Sequence, residues 1–201
     1  KRREVDLKHL IRLFSTSAYK GTKNYINSQK KYEIIRTVIY FAISARLFIA
    51  GYVITKTKMN YLTIVAVVGC LPACKSLISV IMFLRYKSAS ETFCNRLATQ
   101  KHRFCELYDM VFTSYDKNFS VSHIIIAGNT VCGYTETNSF PEKEFQNHIN
   151  SVLKMDGHKN ITVKIFTDME KYLDRIGQLN DSEIDTSNSE AIAETLKSVA
   201  L

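Results

Sequence analysis

Tyr61–Leu84, YLTIVAVVGCLPACKSLISVIMFL, is a run in which almost every position is apolar or small. At about 1.5 Å of rise per residue, a helix of this length crosses a hydrocarbon core of roughly 30 Å. Residues 34–54, IIRTVIYFAISARLFIAGYVI, have the same character, and only residues 55–60, TKTKMN, separate the two runs. That interval allows a tight turn and nothing more, so the runs read as a helical hairpin. Two buried helices of a soluble protein would need a surrounding core that the remaining residues can hardly supply. Residues 34–86 therefore read as a transmembrane hairpin, with the rest of the chain arranged around it.

Charge is unevenly spread along the chain. Residues 1–36 carry a net +7, residues 37–87 a net +6 and residues 88–201 a net −5, so the overall +8 comes wholly from the first part. A nucleic-acid reader carries a basic face on its folded domain, because phosphate neutralisation supplies most of the affinity. The folded domain expected here is acidic, which argues against nucleic acid as a partner. Lys and Arg close to the spans set orientation. Lys20, Lys23, Lys30, Lys31 and Arg36 precede the first run, and Arg85, Lys87, Arg96, Lys101 and Arg103 follow the second, against two lysines in the turn. The expectation is a multi-pass membrane protein with both termini cytoplasmic. The first apolar run is too long for the h-region of a signal peptide and lacks a small-residue cleavage pattern. Five cysteines without a recurring C-x-x-C spacing do not make a disulfide framework and suggest a reducing compartment.

Several residues within the hairpin are unusual for lipid. Pro72 removes a backbone N–H and crowds the carbonyl of Val68, which tends to kink a helix. Gly69, Ala73 and Ser76 leave space beside it for a close neighbour. Cys70 and Cys74, at i and i+4, share a face and are the weak metal candidates of the span. Two thiolates make an incomplete site, and residues 34–90 contain no histidine or carboxylate, so both read as packed, inert thiols. Arg46 and Lys75 are the stronger anomalies. A basic residue at the helix centre costs about 2.5–3.5 kcal/mol on insertion scales and usually faces a bundle interior or cavity. Counted from the turn, Arg46 lies roughly 13 Å and Lys75 roughly 22 Å along the span, neither with an acidic partner in the hairpin. Lys75 reads as snorkelling toward the cytoplasmic headgroups. Arg46 needs carbonyls freed near Pro72, lipid phosphate or another subunit, which makes a homo-oligomer one expectation.

Residues 1–33 read as a basic amphipathic juxtamembrane segment. Leu7, Leu10, Ile11 and Phe14 fall on one helical stripe beside Lys8 and Arg12, and each Lys or Arg near anionic lipid is worth about 1 kcal/mol. The segment is expected on anionic lipid of the inner leaflet, with packing on the cytoplasmic domain as the alternative. Residues 87–177 read as that domain. Residues 90–107 have no breaker and read as a helix; residues 108–114 (YDMVFTS) and 121–127 (VSHIIIA) are strand-like. Gly128-Asn129 makes a two-residue hairpin turn into a third strand. A helix then begins near Pro141 and carries Phe145, Ile149, Val152 and Leu153 on one face until Asp156-Gly157. Residues 161–167 (ITVKIFT) are another strand, and Asp168 caps a helix bearing Tyr172, Leu173 and Ile176. Residues 178–201 read as a polar linker and a short C-terminal helix. The expected fold is an α-helical transmembrane hairpin followed by a small cytoplasmic α/β domain of order α-β-β-β-α-β-α.

This order resembles the restriction-endonuclease-like core, including nuclease-related modules tethered to membranes. The resemblance implies an Asp and a Glu-x-Lys on the second and third strands, holding Mg²⁺ and activating water. Here those strands read HIIIAGN and VCGYTE, so the core resembled is a degenerate one. The weak cleft candidates are Asp109, His123, Glu136 and Lys164, of which Asp109 and Glu136 read as surface or cap residues and His123 as a core histidine. Cys94, His102 and Cys105 have irregular spacing for zinc, and His148 and His158 read as exposed. No Gly-rich phosphate loop or nucleophile motif occurs, so no catalytic residue, metal or cofactor is assigned. Taken in order, YLTIVAVVGCLPACKSLISVIMFLRYKS, YDMVFTS, VCGYTETNSF and ITVKIFTDMEKYLDRI resemble a group of two-span membrane proteins of Gram-positive, chiefly clostridial, bacteria. That resemblance implies a bacterial plasma membrane and a cytoplasmic tail, and transfers no catalytic residue. Three functions stand as expectations. One is a membrane-held, non-catalytic interaction domain that docks a protein partner or itself. Another is a degenerate or divergent nuclease-like enzyme, which needs Asp109, Asp116 or Glu136 to converge with Lys164 or Lys117. The last is a small transport or channel subunit that uses Arg46 and Lys75 as an oligomer.

Overall fold

The computed structural model describes residues 19–56, 61–100, 103–114, 117–182 and 184–201. The amphipathic stripe through Leu7 and Phe14, together with His102 and Asp116, lies outside the described residues. Two compact units separate, one containing Ile26–Lys87 and the other formed by Ser17–Tyr25 and Ser88–Leu201. The basic lead expected as one piece through residue 33 is therefore divided between them.

The first unit is a helical pair, α1 (Tyr25–Thr55) and α2 (Tyr61–Leu84). Helix α1 begins well upstream of its apolar run, because no Gly or Pro interrupts residues 25–50. The seam between the helices follows a repeat of alternating threes and fours. Glu33, Thr37, Ser44 and Gly51 are buried on α1, with Tyr40 and Leu47 half-buried between them. Ala66, Ala73, Ser76, Val80 and Phe83 are buried on α2. A 3.5-residue period keeps one face of each helix against its neighbour. The Thr37 and Ser76 hydroxyls lie 2.8 Å apart, and a Cβ built on Gly69 would meet Ser44 Oγ at 3.0 Å. These two contacts set the antiparallel register. Most of the remaining surface of the spans is apolar and exposed, including Val53, Ile54, Ile64 and Leu71. Only 17% and 22% of the most apolar windows of α1 and α2 are buried, and both helices are long and apolar enough to cross a membrane. Core helices of soluble proteins turn such residues inward.

The second unit is built on a four-stranded sheet of β1 (Cys105–Thr113), β2 (Asn118–Ala127), β3 (Thr130–Tyr134) and β4 (Thr162–Phe166), in that spatial order. β1, β2 and β3 pair antiparallel, and β3 pairs parallel with β4. A parallel neighbour requires a crossover, which α4 (Glu142–Met155) provides. Helix α3 (Glu91–Ala98) precedes the sheet, and α5 (Met169–Asn180) and α6 (Ser189–Val199) follow it. One sheet face is covered by Phe145, Ile149 and Leu153 of α4 and by Ile192, Ala193 and Leu196 of α6. Phe93 and Leu97 of α3 and Tyr172, Leu173 and Ile176 of α5 cover the other. The β2–β3 turn is tight, with Gly128 at φ +58°, and a Cβ there would collide with the Asp185 carbonyl oxygen.

Two expectations are corrected. The helix expected over residues 90–107 ends at Ala98, and Cys105 starts β1, where it pairs opposite Ile126. Cys94 and Cys105 therefore share no helix. The C-terminal helix is not an appendage beyond residue 177, because its apolar stripe is part of the core and Leu201 N–H donates to the Val111 carbonyl at 2.8 Å. Residues ahead of α1 join the same unit. Tyr108 N–H donates to the Gly21 carbonyl at 2.8 Å, and Lys20 Nζ donates to the Ala200 carbonyl at 2.6 Å.

Leu196 is fully buried, so Leu196→Ala should lower the unfolding free energy by about 2–5 kcal/mol. Removal of residues 189–201 should abolish the folded sheet unit. Urea unfolding of the full chain in detergent, followed by labelling of the buried Cys132 thiol, reads both effects.

Candidate functional site

In the hairpin the polar groups gather at one end of the seam. Glu33 is only 3% exposed, and a buried carboxylate is tolerated only with a counter-charge and hydrogen bonds. Arg36 Nη1 donates to its Oε1 at 2.7 Å and Gln29 Nε2 to the same oxygen at 3.1 Å. Ser76 Oγ, on the facing helix, lies 3.4 Å from Oε2, and Thr37 Oγ1 also lies 2.8 Å from the Glu33 carbonyl oxygen. This clasp joins the two helices by polar bonds and leaves the carboxylate neutralised by Arg36. Gly69 and Ala73 line the seam, whereas Pro72 faces outward from a continuous α2. Cys70 is half-buried and Cys74 exposed. Arg46 and Lys75 are both exposed on the outer surface of the pair, away from the seam.

In the sheet unit, His123 is completely buried on β2 and joins a chain of polar groups. Its Nδ1 lies 2.8 Å from the Tyr172 hydroxyl, and its Nε2 lies 3.5 Å from Glu106 Oε2. Tyr108 donates its phenolic hydrogen to that same Glu106 oxygen at 2.6 Å. Phe93 stacks on Tyr134 at 4.5 Å, and the Tyr108 ring lies 4.4 Å from the imidazole. Burial pushes the Tyr172 phenol well above its ordinary range, and burial followed by the hydrogen bond to Glu106 does the same to Tyr108. Both therefore remain hydroxyls and donors. Carboxylate, imidazole and phenol are connected, and the rings of Phe93, Tyr108 and Tyr134 pack around them. The group ties α5 and α3 to the sheet.

Of the remaining cleft candidates, Asp109 and Glu136 meet at the chain leading into α3. Asp109, read as a surface or cap residue, is 2% exposed and sits on β1 at φ +54°. Its Oδ1 accepts the Ala89 N–H at 2.8 Å, while the exposed Glu136 accepts the Ser90 N–H at 3.2 Å. Ser90 Oγ then caps α3 by accepting from Phe93 N–H at 3.3 Å. Both acids thus hold the chain leading into α3. Lys164 is exposed on β4 opposite Cys132, and Lys117 pairs with Glu144 at 2.8 Å. His148 and His158, expected to be exposed, are half-buried: His148 stacks on Phe119, and His158 Nε2 lies 3.2 Å from Thr195 Oγ1. Among the described residues, no group of three or more His, Cys, Asp or Glu side chains is placed to hold a metal ion.

Sequence reasoning missed two of these groups. Glu33 fell one residue outside the span as drawn, although it is the last acid before a long apolar run. Glu106 was hidden inside an expected helix, where its alternation with Tyr108 had no meaning.

The raised tyrosines give a pH dependence of definite sign. A phenol whose folded pKa lies above the unfolded value of about 10 stabilises the fold fully below that pH and progressively less as pH rises through it. Stability of the sheet unit should therefore fall above about pH 10. Tyr172→Phe should flatten that fall, while costing about 1–3 kcal/mol at pH 7 because it removes the phenol beside Nδ1 of a buried imidazole. Urea midpoints at pH 7, 9 and 10.5 test both statements.

Compared with protein-family models, with curated proteins and with solved structures, the chain matches none.

Proposed function

We propose that this chain is an integral plasma-membrane protein whose helices α1 and α2 cross the bilayer as a hairpin and hold the α/β unit at the cytoplasmic face, where that unit works by binding rather than by catalysis. The observation that carries this reading is the uncovered apolar surface of the hairpin, from Ile34 and Val38 to Ile78 and Ile81. A surface of that kind is stable only against lipid or another apolar surface. Its direction is supported by the basic residues flanking both spans. Ser17–Tyr25 and Ser88–Leu201 lie on either side of the hairpin in sequence and form one unit, which supports a topology in which both ends of the hairpin open on the same side of a membrane.

Binding is favoured over catalysis by what surrounds the acids. β2 and β3 hold no Asp or Glu, and Asp109 and Glu136 are engaged by backbone N–H groups ahead of α3. A single hairpin with Arg46 and Lys75 on its outer surface encloses no path for a transported solute.

The protein should stay in the membrane pellet after alkaline carbonate extraction. A C-terminal tag should be digested in inverted vesicles and protected in right-side-out ones; release by carbonate, or digestion from outside, would sink the proposal. With Mg²⁺ or Mn²⁺ the purified protein should cleave no DNA or RNA. Cleavage that disappears in Glu136→Gln would instead establish the nuclease-like reading.

A further inference from the structure

Arg46 has no counter-charge in its own hairpin. This inference rests on α1 and α2 being membrane spans. In that setting Arg46 lies about 18 Å along the helix from Ile34 and about 14 Å from Thr55, farther from either end than one side chain reaches. It is exposed, two residues past the buried Ser44 and so turned away from the seam. Among the described residues no acid bonds it. Ala42 and Ala50, one turn to each side, are exposed on the same stripe. Small residues in such positions let a second helix come close, and here they flank a cation.

The chemistry of the missing partner follows by elimination. Residues 34–90 contain no Asp or Glu, so a second copy of the hairpin brings another arginine and no anion. The nearest acid, Glu33, lies about 20 Å along the axis and is already bonded to Arg36 inside the seam. Copies inserted in the same sense carry it at that same depth. Lipid phosphates lie at the membrane surfaces, beyond the reach of this side chain. We infer that the flank of α1 formed by Ala42, Arg46 and Ala50 docks a transmembrane helix of a different protein that carries an Asp or Glu near its middle.

The test uses the full-length protein, donor-labelled, in neutral phosphatidylcholine vesicles with acceptor-labelled poly-leucine transmembrane peptides. The peptides carry Glu, Gln or Leu at the central position. Energy transfer should show the Glu peptide associating roughly tenfold more tightly than the Leu peptide, as expected for one interhelical polar contact in lipid. Arg46→Leu should abolish the difference and Arg46→Lys should retain part of it, with both variants still resistant to carbonate extraction. Equal association of the Glu and Leu peptides would overturn the inference. So would a preference that survives Arg46→Leu, or one that disappears when anionic lipid is added, since lipid would then be the counter-charge. Release of the unaltered protein by carbonate would remove the span reading itself, and is recorded separately from the energy transfer.

Discussion

Glu33 is a carboxylate placed where almost no water reaches it, and the hairpin is arranged around that fact. Arg36 is one turn further along the same helix and Gln29 one turn before, so two of its partners come from α1 alone. The third side, Ser76, comes from α2. Once Ser76 lies against Glu33 and Thr37, the antiparallel register is determined, and Gly69 must meet Ser44. The positions that follow the 3.5-residue repeat then turn inward, many of them small or polar, with Tyr40, Leu47, Val80 and Phe83 filling the rest of the seam. Most of the large aliphatic residues are left to the outside, and Pro72, Lys75 and Arg46 go with them. The outward apolar surface and the outward cations are therefore two results of one pairing.

A comparable constraint organises the sheet unit around Asp109. A residue at positive φ within a strand interrupts the alternation of faces. Leu107 and Met110, three apart rather than two, both enter the same core, as do Val121 and Ile124 on the neighbouring strand. The disturbed stretch is where Tyr108 and His123 stand opposite each other and where Asp109 takes up the Ala89 N–H. Aspartate tolerates this backbone better than most residues because its short side chain bonds locally. The buried polar cluster, the start of α3 and the change of phase are consequences of the same residue.

These two sites also mark where the sequence could and could not be read. The apolar runs of α1 and α2 were plain, as were the β-branched strand through Ile124, Ile125 and Ile126 and the helix capped by Asp168, because each signal is local. The extent of α3 was not, since nothing between Ser90 and Leu107 breaks a helix; only pairing with β2 draws Cys105, Glu106 and Leu107 into a strand, and that pairing is not local. The burial of Asp109 was invisible for a related reason, because an isolated Asp in a strand-like run usually signals a solvent-facing position. His123 could be assigned to the core from its apolar neighbours, but its partners Tyr172 and Glu106 come from elements far away in sequence. The C-terminal helix read only as a short element after a polar linker, and the sheet face that it shares with α4 explains why its Ile192 and Leu196 are apolar.

The backbone contact between Gly21 and Tyr108 makes the hairpin an insertion inside the α/β unit rather than a stalk ahead of it. The strip around Gly21 is synthesised before either long helix and the strand that receives it only after both. Between them the chain makes its whole excursion through α1 and α2. The unit thus remains unfinished until its last residues arrive, because Lys20 reaches the carbonyl of Ala200. Its two extremities close on each other, as the ends of a circularly permuted domain do. An α/β unit begun after α2 would leave the Tyr108 edge of β1 uncovered, with a backbone N–H that its own sheet does not satisfy. The two long helices and the α/β unit that encloses them in sequence are consequently a single folding problem, coupled through the order of the chain.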